Sequence, residues 1–74
     1  MTLAEKKALV GDFLARCNRY ADEKLAAYRE ELRTAAGPRA GELREKIRDW
    51  SAYRRFNEHA LTELETETLD DWFT

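Results

Sequence analysis

The sequence predicts an all-α protein that folds as an antiparallel two-helix hairpin. Its 74 residues are 38% charged and rich in the strong helix formers Ala, Leu, Glu, Lys and Arg, without the β-branched clusters that mark strands. Two long segments carry apolar residues at steps of three and four, and residues 35–41 between them hold the only proline and two of the three glycines. A hydrophobic content of 43% indicates a packed fold.

We predict the first helix over residues 3–35. Thr2 and Glu5 match the capping-box pattern, in which each side chain satisfies a backbone N–H group of the first turn. Gly11 costs about 1 kcal/mol relative to Ala inside a helix, so it indicates a bend or a close contact between helices. One apolar stripe follows this helix to the bend, and its members are Leu3, Val10, Leu14, Cys17, Ala21, Leu25, Tyr28, Leu32 and Ala35.

We predict the bend at residues 36–40 and the second helix over residues 41–65. Gly37 suits the left-handed residue just past a helix end, and Pro38 suits the first turn of the next helix, where its missing N–H has no partner to lose. Arg54 and Asn57 occupy positions on the second stripe where apolar residues are expected. The apolar members of that stripe are Leu43, Ile47, Trp50, Leu61 and Leu64.

Antiparallel pairing predicts which residues face each other across the hairpin. Facing residues have numbers that add to about 75, and the apolar layers then match in order from the bend to the open end. Small residues of the first helix fall opposite Arg54 and Asn57 in this register. We expect a polar layer that fixes the register, with Arg54 paired to Glu58 or Asp22, and the lining of a ligand pocket is the alternative.

A second apolar edge, made of aromatic residues, lies beside the stripes. Two helices cannot enclose a core, and an exposed apolar patch of this size usually marks an interface. We expect self-association into a four-helix bundle with twofold symmetry, and binding of another protein at the same edge is the alternative. The predicted interface residues are Phe13, Cys17, Tyr20, Trp50, Tyr53, Arg54, Phe56 and Asn57.

Residues 66–74 form an acidic, aromatic tail. All Lys and Arg residues lie within residues 1–57, whereas residues 58–74 carry six acidic side chains (Glu58, Glu63, Glu65, Glu67, Asp70 and Asp71). We predict a break at the threonines between 66 and 68 and then a final capped turn, and continuation of the second helix through the tail is the alternative. The tail either docks into a pocket of another protein or packs Trp72 and Leu69 over the Leu3 end of the first helix, which the register favours. The predicted docking residues are Leu69, Asp70, Asp71, Trp72 and Phe73.

Other candidate sites are weaker. An outer face of the second helix, here called the arginine face, carries Arg44, Arg48 and Arg55, which suit phosphate contacts. A net charge of −2 and interspersed acids disfavour nucleic acid as a partner. His59 and Glu63 lie one helical turn apart and could both contact a metal ion. Two ligands are too few for a protein metal site. We therefore expect no catalytic residue, metal or cofactor.

The sequence also bears on location and function. A lone Cys17 forms no internal disulfide, the first seven residues lack the apolar core of a signal peptide, and no membrane-spanning apolar run is present. We expect a cytoplasmic, non-enzymatic adaptor or regulatory protein that acts as a homodimer and binds another protein. An RNA-binding four-helix bundle that uses the arginine face is the alternative.

The first 16 residues include helix-capping and helix-forming types, namely Met1, Thr2, Glu5, Lys6, Ala8, Leu9, Phe13 and Arg16. This opening resembles the start of the Rop family, plasmid-encoded RNA-binding helical hairpins that dimerise into a four-helix bundle. The resemblance covers about 16 residues, does not extend into the second helix and is an architectural analogy. It implies a dimeric bundle of the kind predicted above.

Overall fold

The computed structural model describes residues 1–73 and shows two packed α-helices followed by a short 3₁₀ helix. Helix α1 spans Leu3–Leu32, helix α2 spans Gly37–Leu64, and the 3₁₀ helix, here called the tail helix, spans Asp70–Phe73. The hairpin is 52 Å long, 16 Å wide and 13 Å thick between Cα atoms. The predicted all-α hairpin is confirmed. None of the helices in residues 1–73 has the length and apolar character needed to cross a membrane.

Helix α1 begins with the predicted capping box. The Glu5 backbone N–H donates to Thr2 Oγ1 at 3.1 Å, and the Thr2 backbone N–H donates to Glu5 Oε1 at 3.3 Å. Two N–H groups that lack partners within the helix are thereby satisfied. Gly11 does not interrupt α1, and a Cβ atom added there would meet Leu61 Cδ2 at 3.9 Å, an ordinary packing distance.

The bend is shorter than the predicted range of residues 36–40. Helix α1 ends at Leu32 instead of residue 35, because the N–H groups of Arg33 and Thr34 donate to carbonyls only three residues back and Ala36 is extended. Helix α2 already begins at Gly37, whose φ of 62° is the left-handed value expected there. Pro38 lies in the first turn, where it needs no N–H partner, so the helix starts before residue 41 and ends at Leu64 instead of residue 65.

The core between the helices is small. Its apolar members are Ala21, Leu25, Ala40, Leu43 and Leu64. Asp22 contacts Arg54 and Lys46 lies over the Tyr28 ring, pairs whose numbers agree with the predicted register of about 75. Because each helix shields only one face of the other, the apolar side chains beside this core remain accessible.

Candidate protein-interaction surface

One broad side of the hairpin carries a continuous group of aromatic side chains. Trp50 lies at its centre, with its ring centroid 5.5 Å from that of Tyr20 on α1 and 5.5 Å from that of Tyr53 on α2. Both contacts are edge-on, at interplanar angles of 71° and 86°, an arrangement that aromatic pairs prefer. We define the aromatic face as Phe13, Cys17, Tyr20, Trp50, Tyr53 and Phe56.

Most of the aromatic face is exposed. Phe56 is 68% exposed, Phe13 65%, Tyr20 52% and Tyr53 40%, whereas Trp50 and Cys17 are half-buried. Helical spacing places Phe13 and Tyr20 on one flank of α1, and Phe56 and Tyr53 on the flank of α2 that adjoins it. A contiguous apolar surface of this kind is typical of an interface with another protein.

Charged side chains of opposite sign border the aromatic face on its two helices. The Lys24 ammonium on α1 lies 5.4 Å from the Tyr20 ring centroid, within cation–π range. On α2, Asp49 lines a shallow cleft with Trp50 and Tyr53. The α1 side of the face is therefore basic at Lys24, and the α2 side is acidic at Asp49.

The opposite broad side of the hairpin is polar, and it contains Arg54. The guanidinium donates from Nε to Asp22 and from Nη1 to Glu58 Oε1 at 2.6 Å, so both predicted pairings are present. These contacts, Asp22 first, raise the pKa of Arg54. The groove around it is lined by Asp22, Leu25, Arg29, Ser51, Arg54 and Arg55. Arg54 is 35% exposed, so it is not a buried residue, and it does not belong to the aromatic face as predicted.

Asn57 is buried between the two helices, as expected of a polar layer, so it does not line the partner interface as also predicted. The polar layer has a further member, Asn18, that was not predicted. Asn57 is 3% exposed and its Nδ2 has no hydrogen-bond partner. Asn18 Oδ1 is likewise buried and unpartnered, and the predicted register places Asn18 directly opposite Asn57. The register was therefore the signal that could have found Asn18. An unpaired buried amide costs about 1–3 kcal/mol, so this layer reduces the stability of the isolated hairpin.

Two lysines of α1 hold the tail. Lys7 Nζ donates to Asp70 Oδ1 at 2.7 Å and to the Thr66 carbonyl at 2.9 Å, and Lys6 Nζ donates to the Phe73 carbonyl at 2.9 Å. Neither lysine could be predicted, because a Lys pair near the start of a helix carries no sequence signal for a particular distant acceptor. The break after α2 is confirmed, since Glu65 caps that helix and the tail helix begins at Asp70.

The predicted packing of Trp72 over Leu3 is wrong. Trp72 is 83% exposed and Leu3 38% exposed. Held by the lysines, the tail instead half-buries Leu69 and Phe73. A cleft between the tail and the two helices is lined by Val10, Leu14, Ala60, Leu64, Leu69, Trp72 and Phe73. Trp72 is thus the most exposed aromatic side chain on the hairpin.

The remaining candidates are at the surface. Arg44, Arg48 and Arg55 are exposed, and helical spacing places them on one outer face of α2; Arg48 Nε lies 3.7 Å from Asp49 Oδ1. His59 Nε2 lies 2.9 Å from Glu63 Oε1. Within residues 1–73, no three His, Cys, Asp or Glu side chains are grouped so that they could hold a metal ion.

We compared the chain with known protein families, with curated proteins and with solved structures, and none of them matches it.

Proposed function

We propose that this chain is a cytoplasmic, non-enzymatic protein-interaction module that acts as a homodimeric helical hairpin, with the aromatic face as its dimer interface. The observation that carries the proposal is the exposure of Phe13, Tyr20, Tyr53 and Phe56, which are 40–68% exposed on the same side of the hairpin. The other broad side carries the ion pairs of Arg54 with Asp22 and Glu58. Only the aromatic side of the hairpin would therefore be stabilised by burial against a partner.

The hairpin combines a small core with a large exposed apolar surface. Only five apolar residues of the described chain are buried, whereas Phe13 and Phe56 are each about two-thirds exposed. Burying a side chain of this size contributes about 1.5–3 kcal/mol. Two hairpins stacked on their aromatic faces form a four-helix bundle, the arrangement that gives each helix a second apolar neighbour.

The tail supplies the contact with a second protein. Trp72 is 83% exposed although the tail backbone is held by Lys6 and Lys7. Trp is enriched among residues that dominate binding energy, and a Trp on an ordered backbone loses little conformational freedom when it binds. Asp70 is already paired with Lys7, so Trp72 and not this carboxylate supplies the contact.

Sedimentation velocity over a range of concentrations tests the dimer. We expect the native chain to dimerise and the variant Phe56→Ser to shift toward monomer. The matched control is Arg55→Ser. Arg55 is the exposed residue directly before Phe56, and it lines the polar groove on the other side of the hairpin. A native chain that stays monomeric at high micromolar concentration would exclude the proposed dimer.

RNA binding is the second candidate function. It is favoured by one observation: Arg44, Arg48 and Arg55 are all exposed on a face distinct from the aromatic face, so a dimer would leave them accessible. Guanidinium groups on a helix face suit phosphate contacts. The acidic net charge of −2 counts against a strong interaction.

A further inference from the structure

We infer that the second copy docks with its bend at the same end as that of the first, so that each α1 packs on the partner's α2. This inference rests on the proposed function, because it specifies how two aromatic faces meet. Two hairpins stacked face to face with twofold symmetry have two choices. With bends at the same end, α1 lies on the partner's α2; with bends at opposite ends, α1 lies on the partner's α1.

The position of the apolar residues along α2 disfavours the opposite-end arrangement in which α2 overlaps fully with the partner's α2. On the aromatic side of α2, apolar residues occur from Trp50 to Ala60, toward the open end, whereas Glu42, Glu45 and Lys46 precede them near the bend. In the opposite-end arrangement, with α2 fully overlapped on the partner's α2, Phe56 would lie at the level of the partner's Glu45. A side chain that is 68% exposed would then be buried against a charged one, which is unfavourable.

The same-end arrangement puts apolar residues on apolar residues. Because both hairpins share one register, Phe56 then lies at the level between the partner's Cys17 and the partner's Tyr20. Phe13 lies near the level of the partner's Ala60. Each exposed phenyl ring therefore meets apolar surface that includes a small side chain, the partner's Cys17 or the partner's Ala60, and large and small residues then interdigitate.

The charges beside the aromatic face favour the same choice. In the same-end arrangement, Lys24 lies near the level of the partner's Asp49, and both symmetry-related contacts bring opposite charges together. In the opposite-end arrangement with α2 overlapped in this way, the two Asp49 residues approach the twofold axis together, and the hairpin register brings the two Lys24 residues together as well. Like charges that lie close together at an interface destabilise it, so they disfavour the opposite-end arrangement.

The whole broad side that carries the aromatic face is also large enough for a stable dimer. The broad side measures 52 Å by 16 Å between Cα atoms, a projected area of roughly 800 Å², which is the area each partner buries in a standard stable interface. A second copy therefore needs no additional element to form this interface.

A distance measured between the two bends tests the inference. The variant Arg33→Cys carries a nitroxide label at an exposed position next to the bend, in a Cys17→Ser background whose dimerisation is first checked by sedimentation because Cys17 belongs to the aromatic face. Pulsed dipolar spectroscopy should give roughly 15–30 Å for the same-end dimer, from helix spacings of about 10 Å plus the label arms. The opposite-end dimer would give a distance near the 52 Å length of the hairpin and would overturn the inference while leaving the dimer intact. A labelled chain without a dipolar signal, and monomeric in sedimentation, would overturn the proposed function as well.

Charge reversal gives a second test that does not depend on labels. Lys24→Glu and Asp49→Lys should each weaken self-association, and an equimolar mixture of the two should restore it, because the heterodimer pairs the two reversed side chains across the interface. A rearrangement within one chain cannot produce this rescue, since each chain carries only one of the changes. A mixture that associates no better than the separate variants would overturn the same-end arrangement.

Discussion

Lys7 Nζ lies 2.7 Å from Asp70 Oδ1 and so joins the first turns of α1 to the tail helix across 63 positions of sequence. The two side chains are only 21% and 25% exposed, and the same ammonium group also donates to the Thr66 carbonyl. A partly buried, charge-assisted contact of this kind is stronger than an ion pair on the open surface. The order of the tail therefore depends on Lys7.

We predict that Lys7→Met releases the tail. The change keeps most of the apolar stem but removes the bonds to Asp70 and Thr66, so the free energy of unfolding should fall by roughly 1–2 kcal/mol. Hydrogen exchange checks this at the Trp72 N–H, which donates to the Leu69 carbonyl at 3.0 Å and should lose its protection.

The control for this prediction is Lys6→Met, which removes the single bond to the Phe73 carbonyl. Its effect on the Trp72 N–H should be smaller. If the Lys7 variant kept full protection of that N–H, the apolar contacts of Leu69 and Phe73 would suffice to hold the tail, and the role given to Lys7 would be wrong.

Local patterns predicted the fold, because capping, helical periodicity and a single Gly-Pro break all depend on near neighbours in sequence. The capping box of Thr2 and Glu5 and the left-handed Gly37 are both present. The bend was placed too late because Pro38 is tolerated in the first helical turn, and a sequence alone does not say how much of that turn is formed.

The candidate site was harder to predict because its contacts are long-range. The flank positions of Phe13 and Phe56 follow from periodicity, so the aromatic face could be predicted. The lysine contacts to the tail could not, since flexible Lys side chains reach acceptors that no pattern specifies. Arg54 was assigned to the interface because it interrupts the stripe, yet the acids on the polar side draw it away from the aromatic face.

We predict that Gly37→Ala lowers the free energy of unfolding by about 1–2 kcal/mol, because its φ of 62° is unfavourable for a residue with a Cβ atom. The space around it is open, so the cost is conformational and not steric. The matched control is Gly41→Ala, at an equally open site within α2, which should raise stability by up to about 1 kcal/mol. Urea unfolding measures both, and equal effects at the two sites would show that Gly37 is not needed for the bend.

We predict that Asn57→Leu raises the free energy of unfolding by roughly 1–2 kcal/mol. The change removes a buried Nδ2 that has no acceptor and adds apolar contacts at a site that is 3% exposed. Asn57→Asp, which has nearly the same shape but buries a charge, should instead destabilise the chain. Urea unfolding checks both, and a destabilised Leu variant would indicate that the Asn57 amide gains a partner, such as Asn18, in solution.

We predict a pH-dependent contribution from the pair that spans the bend, Glu31 and Arg39. The Glu31 carboxylate accepts from Arg39 Nε at 2.6 Å and Nη2 at 3.0 Å, which lowers the pKa of Glu31 below its ordinary value of 4.5. A lowered folded-state pKa stabilises the fold above the unfolded-state pKa, and this contribution is lost as pH falls through the folded-state value.

Two measurements check this pair. Glu31→Gln should be slightly less stable than the native chain near neutral pH, by a small amount because both side chains are exposed, and the difference should vanish in acid. NMR titration should show the pKa of Glu31 rising in Arg39→Ala. A titration of Glu31 that is unaffected by loss of Arg39 would show that the pair does not persist in solution.

The arginine face gives the prediction that separates the two candidate functions. If the chain binds single-stranded RNA, replacing Arg44, Arg48 and Arg55 together by Ala should weaken binding for all sequences, and the slope of log affinity against log salt should fall by about 2. The matched control replaces three exposed arginines and changes the net charge equally: Arg16 and Arg19 on α1, and Arg33 just after it. Equal losses in both triple variants would indicate a nonspecific charge effect. A native chain that shows no RNA binding even at low salt, where phosphate contacts are strongest, would exclude the second candidate and leave the protein-interaction module.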